Sequence, residues 1–260
     1  MLWDDDNLYI GAEMEEPHVR ATLTEHDSVI FRDNDFEVFL DPDGDGTMYS
    51  ELEINAFNTT WDLLLVKPYR AGGPPVDGFE LKGLKSAVHI DGKINDPSHL
   101  DKGWTLEIAI PWKSLTQIAG CPSPPKDGDQ WRINFSRVEW HVETVDGHYR
   151  TVPGTHEDNW VWSPQYVVDM HRPERWGILQ FTSSSSAVPA KPYPGLSERE
   201  KLIQVWEAEL AFRSEHGRYS ASLSELGLDL AEVAVSVTPN LFEARCGDYH
   251  IDQTHRIWHS

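Results

Sequence analysis

The sequence predicts a mainly β protein: an antiparallel β-sandwich over residues 1–182, followed by a small α+β appendage at the C-terminal end. Three observations carry this reading. Short runs that alternate apolar and polar side chains recur through the first 182 residues, the two-residue period of strands with one face on a core. Gly, Pro, Asp and Asn cluster between them, as in AGGPPVDG, NDPSHLDKG and CPSPPKDGD, and short strands so punctuated favour a sandwich over an α/β fold. A Ser/Pro-rich linker, 183–196, then separates these runs from a segment of helical periodicity.

Taken in order, Leu2–Glu15 alternates through Leu8, Ile10, Ala12 and Met14. Asp33–Ala56, DNDFEVFLDPDGDGTMYSELEINA, reads as a strand, an aspartate-rich turn and a second strand. Phe36, Val38 and Leu40 alternate with Glu37 and Phe39; beyond the turn, Leu52, Ile54 and Ala56 alternate with Tyr49, Glu51, Glu53 and Asn55. The second face of this hairpin gathers carboxylates, an amide and two aromatic rings. Like charges facing one another across strands destabilise a sheet unless something offsets them. A hydroxyl-rich ligand or a cation would do so.

Asn58–Val66 and Ala87–Ile90 supply further strands. GWTLEIAIPW puts Trp104, Leu106, Ile108 and Ile110 on one face. Gln130–Val142 places Trp131, Ile133 and Phe135 on one face and Val138, Trp140 and Val142 on the other; Trp176–Phe181 closes the set. Trp104, Trp112, Trp131 and Trp176 lie in strand or strand-end patterns and are assigned to the core.

After the linker, Ser197 and Glu200 form an S-x-x-E capping box ahead of a helix running to about Glu215, with Leu202, Ile203, Trp206 and Leu210 as its apolar stripe. Leu241–Cys246 and Tyr249–Ile251 suggest a hairpin. A unit this small is expected to pack on the first unit or on a protein partner.

Charge narrows the function. The net charge is −21, and residues 1–60 hold sixteen acidic side chains against Arg20 and Arg32. Such a field repels phosphate backbones and anionic membranes, so nucleic acid is excluded as the expected partner, while neutral sugars and divalent cations remain compatible. No apolar run approaches the length of a membrane span. Two distant cysteines, Cys121 and Cys246, make no disulfide framework. No signal peptide precedes the first strand.

WDDDNLYIGAEMEEP, DNDFEVFLDPDGDG, ELEINA, GWTLEIAIPW, INFSRVEW and the closing WSP…HRPERWG, in that order, resemble family 9 carbohydrate-binding modules over roughly residues 1–182. The resemblance implies a β-sandwich that binds plant-type polysaccharides or their oligosaccharides, such as xylan or cellulose fragments, without cleaving them. It also implies association with glycoside hydrolases, structural calcium in some members, and an extracellular or periplasmic location. Family members start earlier, so the resemblance implies either a fragment or a true start upstream, where a secretion signal could also lie.

The family's site clamps a sugar between two aromatic rings, with polar side chains on its hydroxyls. Glu37 matches a family glutamate, and Phe31 falls where one clamp aromatic sits. Glu53 lies where xylan-binding members have an arginine, and the second clamp tryptophan would fall near Met170. Trp140, Trp160 and Trp162 are therefore candidate replacement platforms, with Asn55 and His171 as hydroxyl partners.

Each candidate has a blander counterpart. Trp160 and Trp162, in the polar segment HEDNWVWSPQ, could instead cap the end of the sandwich core. Asp41, Asp43 and Asp45 in DPDGDG resemble the start of a calcium loop, but a polar hairpin turn uses the same residues. Two rival functions stay open. Glu37, Glu51, Glu53 and Glu139 could supply the carboxylate pair of a glycosidase, and Met170 with His171 could ligate a haem. No catalytic residue is assigned.

Overall fold

The computed structural model describes residues 1–260. The strands, in chain order, are β1 (Leu2–Trp3), β2 (Asn7–Glu15), β3 (Asp35–Asp41), β4 (Tyr49–Asn55), β5 (Thr60–Leu65), β6 (Pro75–Val76), β7 (Lys85–Asp91), β8 (Gly103–Pro111), β9 (Gln130–Glu139), β10 (Val142–Val145), β11 (His148–Thr151), β12 (Asp158–Val161), β13 (Gly177–Gln180), β14 (Val233–Val237), β15 (Phe242–Cys246), β16 (Tyr249–Asp252) and β17 (Ile257–His259). One helical turn, α1 (Trp112–Leu115), follows β8, and a long helix, α2 (Leu196–His216), precedes β14.

The alternation expected from the sequence builds two antiparallel sheets. One has the order β1-β2-β8-β7; the other runs β12-β9-β3-β4-β5-β6, with β13 also pairing β9. Leu8, Ile10, Leu106 and Ile108 from the first pack on Val38, Leu52, Ile54 and Ile133 from the second in one buried core. Trp104, Trp112 and Trp131 join that core, and Trp176 is equally buried beyond it, so all four tryptophans assigned to the interior are there. The hairpin of β10 and β11 stands apart from both sheets.

One expectation changes. The second face of β3 and β4 is not left open: Asp35, Glu37, Phe39, Tyr49, Glu51, Glu53 and Asn55 are all buried. Trp176, with Met170 beside it, packs over Phe39, Tyr49, Leu63 and Leu65 as a second small apolar cluster.

In the C-terminal unit, α2 packs Leu202, Ile203, Val205 and Trp206 on the sheet β14-β15-β16-β17. The expected capping box does not form. The helix starts at Leu196, and its N-cap is Gly195, a left-handed residue (φ 62°) with no side-chain cap. A Cβ at Gly195 would lie 2.1 Å from the Tyr249 ring, which explains glycine there. Starting two residues early puts Ser197 inside the helix, past the position from which it could cap.

Residues 183–195 carry no helix or strand, but they are fastened rather than loose. Lys191 N–H donates to Gln180 Oε1 at 2.7 Å, and the Tyr193 ring lies between the guanidinium groups of Arg132 and Arg199. The unit beyond them docks on the sandwich. Ile257 N–H donates to Asp45 O at 2.8 Å, and Arg70 reaches Glu207 at 3.2 Å.

Candidate functional site

Register on the outer face of the larger sheet brings the acidic residues together. Ser136, Glu37, Glu53 and Trp61 fall in one cross-strand row over β9, β3, β4 and β5. The next row on the same face holds Asn134, Phe39, Glu51 and Leu63. Residues 164–171 and the turn at Tyr69 rise around these rows and leave a cleft of about 410 Å³. Its floor is Glu37, Glu51 and Glu53; aromatic groups come from Phe31, Trp61, Tyr69 and Tyr166, and polar side chains from Asn159, Gln165 and His171. Tyr69 is 44% exposed and Phe31 37%, so both rings present area to a ligand.

The electrostatics are unusual. No lysine or arginine lines the cleft. Glu53 accepts the backbone N–H of Phe31 at 2.8 Å. Burial pushes the Glu37 carboxyl up to about 7. Burial first, and then neighbouring carboxylates, raise Asp35, Glu51 and Glu53 well above the ordinary range. The His171 Nδ1 lies 3.0 Å from the Tyr49 hydroxyl, and burial pulls this imidazole down to about 4, so it is neutral near pH 7. The result is a pocket of aromatic faces over a floor of carboxyl groups with few donors facing them, suited to a ligand that exchanges hydrogen bonds through hydroxyls or brings positive charge.

Of the residues proposed from sequence, Phe31, Glu37 and His171 meet in this cleft. Asn55 does not. Its amide donates to Leu23 O at 2.8 Å and Asp33 Oδ2 at 3.1 Å, and its Oδ1 accepts the N–H groups of Phe57 and Thr59, each at 3.0 Å. Fully engaged and buried, it holds the β4–β5 turn rather than a ligand.

Trp140 is also displaced from that role. Its indole N–H donates to Phe31 O at 2.8 Å, so it braces Phe31 from beside the cleft. Trp160 and Trp162 are on the wrong face. Asn159 and Val161 of β12 line the cleft, and Trp160 pairs with Arg137, so the pleat turns it the opposite way. Trp162 lies against Phe135 at 5.8 Å between ring centroids and directly over Gly177, where a Cβ would sit 2.1 Å from its ring. It covers the edge of the sandwich core.

Asp41, Asp43 and Asp45 have carboxylate oxygens within 4.8 Å of one another, but donors already meet them. Asp41 accepts the N–H groups of Gly44 and Gly46, Asp43 that of Asp45, and Asp45 the Thr47 N–H and hydroxyl. Arg256 reaches Asp45 at 3.1 Å, whereas Asp41 and Asp43 have no basic partner, and burial followed by the neighbouring carboxylates raises both, Asp43 to about 6. The turn is thus held by its own amides and docks the C-terminal unit.

Sequence reasoning missed Trp61, Tyr69 and Tyr166. Trp61 had a signal, since it falls on the Leu63 and Leu65 side of β5, directly opposite Glu53. Tyr69 and Tyr166 sit in irregular segments with no pattern to betray them.

Residues 1–166 match the family described as carbohydrate family 9 binding domain-like. Among curated proteins, the exoglucanase XynX of Acetivibrio thermocellus is 28% identical over 123 residues, which cover 46% of this chain and 9% of that protein. The endo-1,4-beta-xylanase A of Thermoanaerobacterium saccharolyticum gives the same identity and the same coverage. The chain therefore corresponds to a small part of these relatives. A solved structure from Bacteroides uniformis, provisionally assigned to carbohydrate binding, shares the fold with a TM-score of 0.50 at 20% identity, over 68% of this chain and 74% of that one.

Proposed function

The chain belongs to the carbohydrate family 9 binding domain-like family, and from that premise we propose that the outer-face cleft binds plant-type polysaccharide or its oligosaccharides, with xylan and cellulose fragments as the expected ligands. The observation that carries this reading is the cleft itself: exposed aromatic rings at Phe31 and Tyr69 above a floor of carboxylates that lack basic partners. Sugar rings present C–H faces to aromatic surfaces and hydroxyl donors to carboxylates, and the cleft offers both.

Binding without cleavage fits the geometry better than hydrolysis. A glycosidase needs two carboxylates flanking the scissile bond. Here Glu37 and Glu53 are direct cross-strand neighbours rising from one floor, so they approach a ligand from the same side. The role that follows is to hold polysaccharide for breakdown by a catalytic unit, in a compartment outside the cytoplasm. No helix is long and apolar enough to cross a membrane.

The test is a glycan-binding screen followed by calorimetry with xylo- and cello-oligosaccharides, run alongside a reducing-sugar assay. Saturable binding with no product released is expected. Failure of every glycan to bind refutes the reading, and turnover abolished by Glu37→Gln would favour hydrolysis.

A further inference from the structure

We infer that the C-terminal unit is a working part of the cleft: Glu207 on α2 sets the spacing of the two cleft walls by tying Arg70, the neighbour of Tyr69, to Arg172, the neighbour of His171. The effect on sugar affinity rests on the carbohydrate reading; the tie itself can be measured without a ligand.

Both walls are irregular chain. One is the turn Tyr69–Ala71 in the connection from β5 to β6, and the other is 164–171, just ahead of the turn Pro173–Arg175. Irregular segments are more mobile than the strands they connect, so whatever fastens them sets the width of the space between them. The walls meet at Tyr69 and His171, ring edge against ring face, at 4.5 Å between centroids. Each of these residues is followed directly by an arginine, and neither arginine lines the cleft.

The two arginines end on one atom. Arg70 Nη1 donates to Glu207 Oε1 at 3.2 Å, and Arg172 Nη1 donates to the same oxygen at 3.1 Å. Arg70 also joins the walls directly, since its Nη2 donates to Glu174 Oε1 at 2.7 Å, two residues beyond Arg172. The Arg70 side chain is 16% exposed and that of Arg172 21%, so solvent and salt screen these pairs less than open surface pairs. The helix that carries Glu207 is itself fixed. Its Leu202, Ile203, Val205 and Trp206 are buried in the C-terminal core, Ala71 packs against that core, and the Arg70 guanidinium lies 5.0 Å from the centre of the Trp206 ring.

Other contacts between the two units provide the contrast. Ile257 and Arg256 reach Asp45, and Tyr193 lies between Arg132 and Arg199, yet none of these residues lines the cleft or adjoins one that does. Contacts of that kind are enough to hold the unit in place. The Glu207 tie instead joins two wall segments that are distant in sequence, and a wall arrangement competent for only part of the time lowers apparent affinity by that fraction.

The experiment uses the full chain with Glu207→Ala, and Arg256→Ala as the interface control. Glu207 is 40% exposed and alanine suits a helix, so the variant should fold. Calorimetry with the tightest oligosaccharide from the glycan screen should give affinity at least five-fold weaker in Glu207→Ala and within two-fold of the parent in Arg256→Ala. Combining Glu207→Ala with Tyr69→Ala tests the route: if Glu207 acts by placing the Tyr69 wall, the double variant loses at least three-fold less than the product of the two single losses. A full product, parent affinity in Glu207→Ala, or an equal loss in Arg256→Ala overturns the positioning role. Proton NMR reads the tie without sugar. The His171 ring protons lie against the Tyr69 ring, so their shifts should move in Glu207→Ala and hold in Arg256→Ala; unmoved shifts in Glu207→Ala refute the tie. A chain that binds no glycan but shows the shift refutes the carbohydrate reading and leaves the tie standing, while glycan binding untouched by Glu207→Ala does the reverse.

Discussion

Replacing Tyr69 by alanine tests where the sugar stacks. Tyr69 is 44% exposed at the cleft, and its ring is held edge-on against His171 at 4.5 Å between centroids. An aromatic side chain offers roughly 150–250 Å² in all, so a sugar could cover about 60–110 Å² of this one. At about 25 cal/mol per Å², reduced because part of the sugar face is polar, stacking contributes ~1–2 kcal/mol. Loss of that contact weakens binding about 5- to 30-fold. The assay is calorimetry with the tightest oligosaccharide from the glycan screen, accompanied by thermal melts to confirm the fold. Trp160→Ala is the control. Trp160 is more exposed, at 63%, but it lies on the face turned from the cleft, so its affinity should stay at the parent value. Undiminished binding in Tyr69→Ala, or a loss confined to Trp160→Ala, would refute the placement of the site.

Two further predictions concern stability. Asn55→Ala removes four hydrogen bonds made by a fully buried side chain and strands the buried Thr59 amide, so unfolding should become easier by about 2–4 kcal/mol, read from urea denaturation; a loss below about 0.5 kcal/mol contradicts the structural role. Glu174 sits 2.7 Å from Arg70 and 3.5 Å from His255; burial alone would raise its carboxyl, but these partners outweigh burial and hold it down to about 2. Because its folded value is depressed, its contribution of about 2–3 kcal/mol is complete above the ordinary carboxylate range and is lost as pH falls from about 4.5 toward 2. Glu174→Gln should therefore be less stable than the parent at pH 7, with the gap shrinking by pH 3. A gap that stays constant across that range removes the ion pair from the account.

The strand pattern between Asp33 and Ala56 was legible because alternation has a two-residue period and needs only local sequence. That pattern separated Val38 and Leu52 from Glu37 and Glu53, and it put Glu37 at the site. The interior tryptophans were legible for the same reason. Parity along a strand reports that two faces exist, but it cannot say what covers each. For β3 and β4 the answer came from residues 164–176, more than a hundred positions away, which fold over the carboxylate face and turn a solvent-facing surface into a cleft.

The same limit explains Trp160 and Trp162. A platform and a cap on the core were both open for them, and their side of the sheet depended on how β12 registers against β9, where Trp160 meets Arg137. A shift of one residue would have reversed the outcome. Asn55 illustrates the converse, since an outward polar residue proved to be engaged by Leu23 and Asp33 from a neighbouring loop. By itself the sequence determined the sandwich, its core and the acidic strand pair, all of which follow from local periodicity. Only tertiary structure decided which aromatic rings face those acids and which carboxylates are left without donors, because strand register and loop closure are settled between distant parts of the chain.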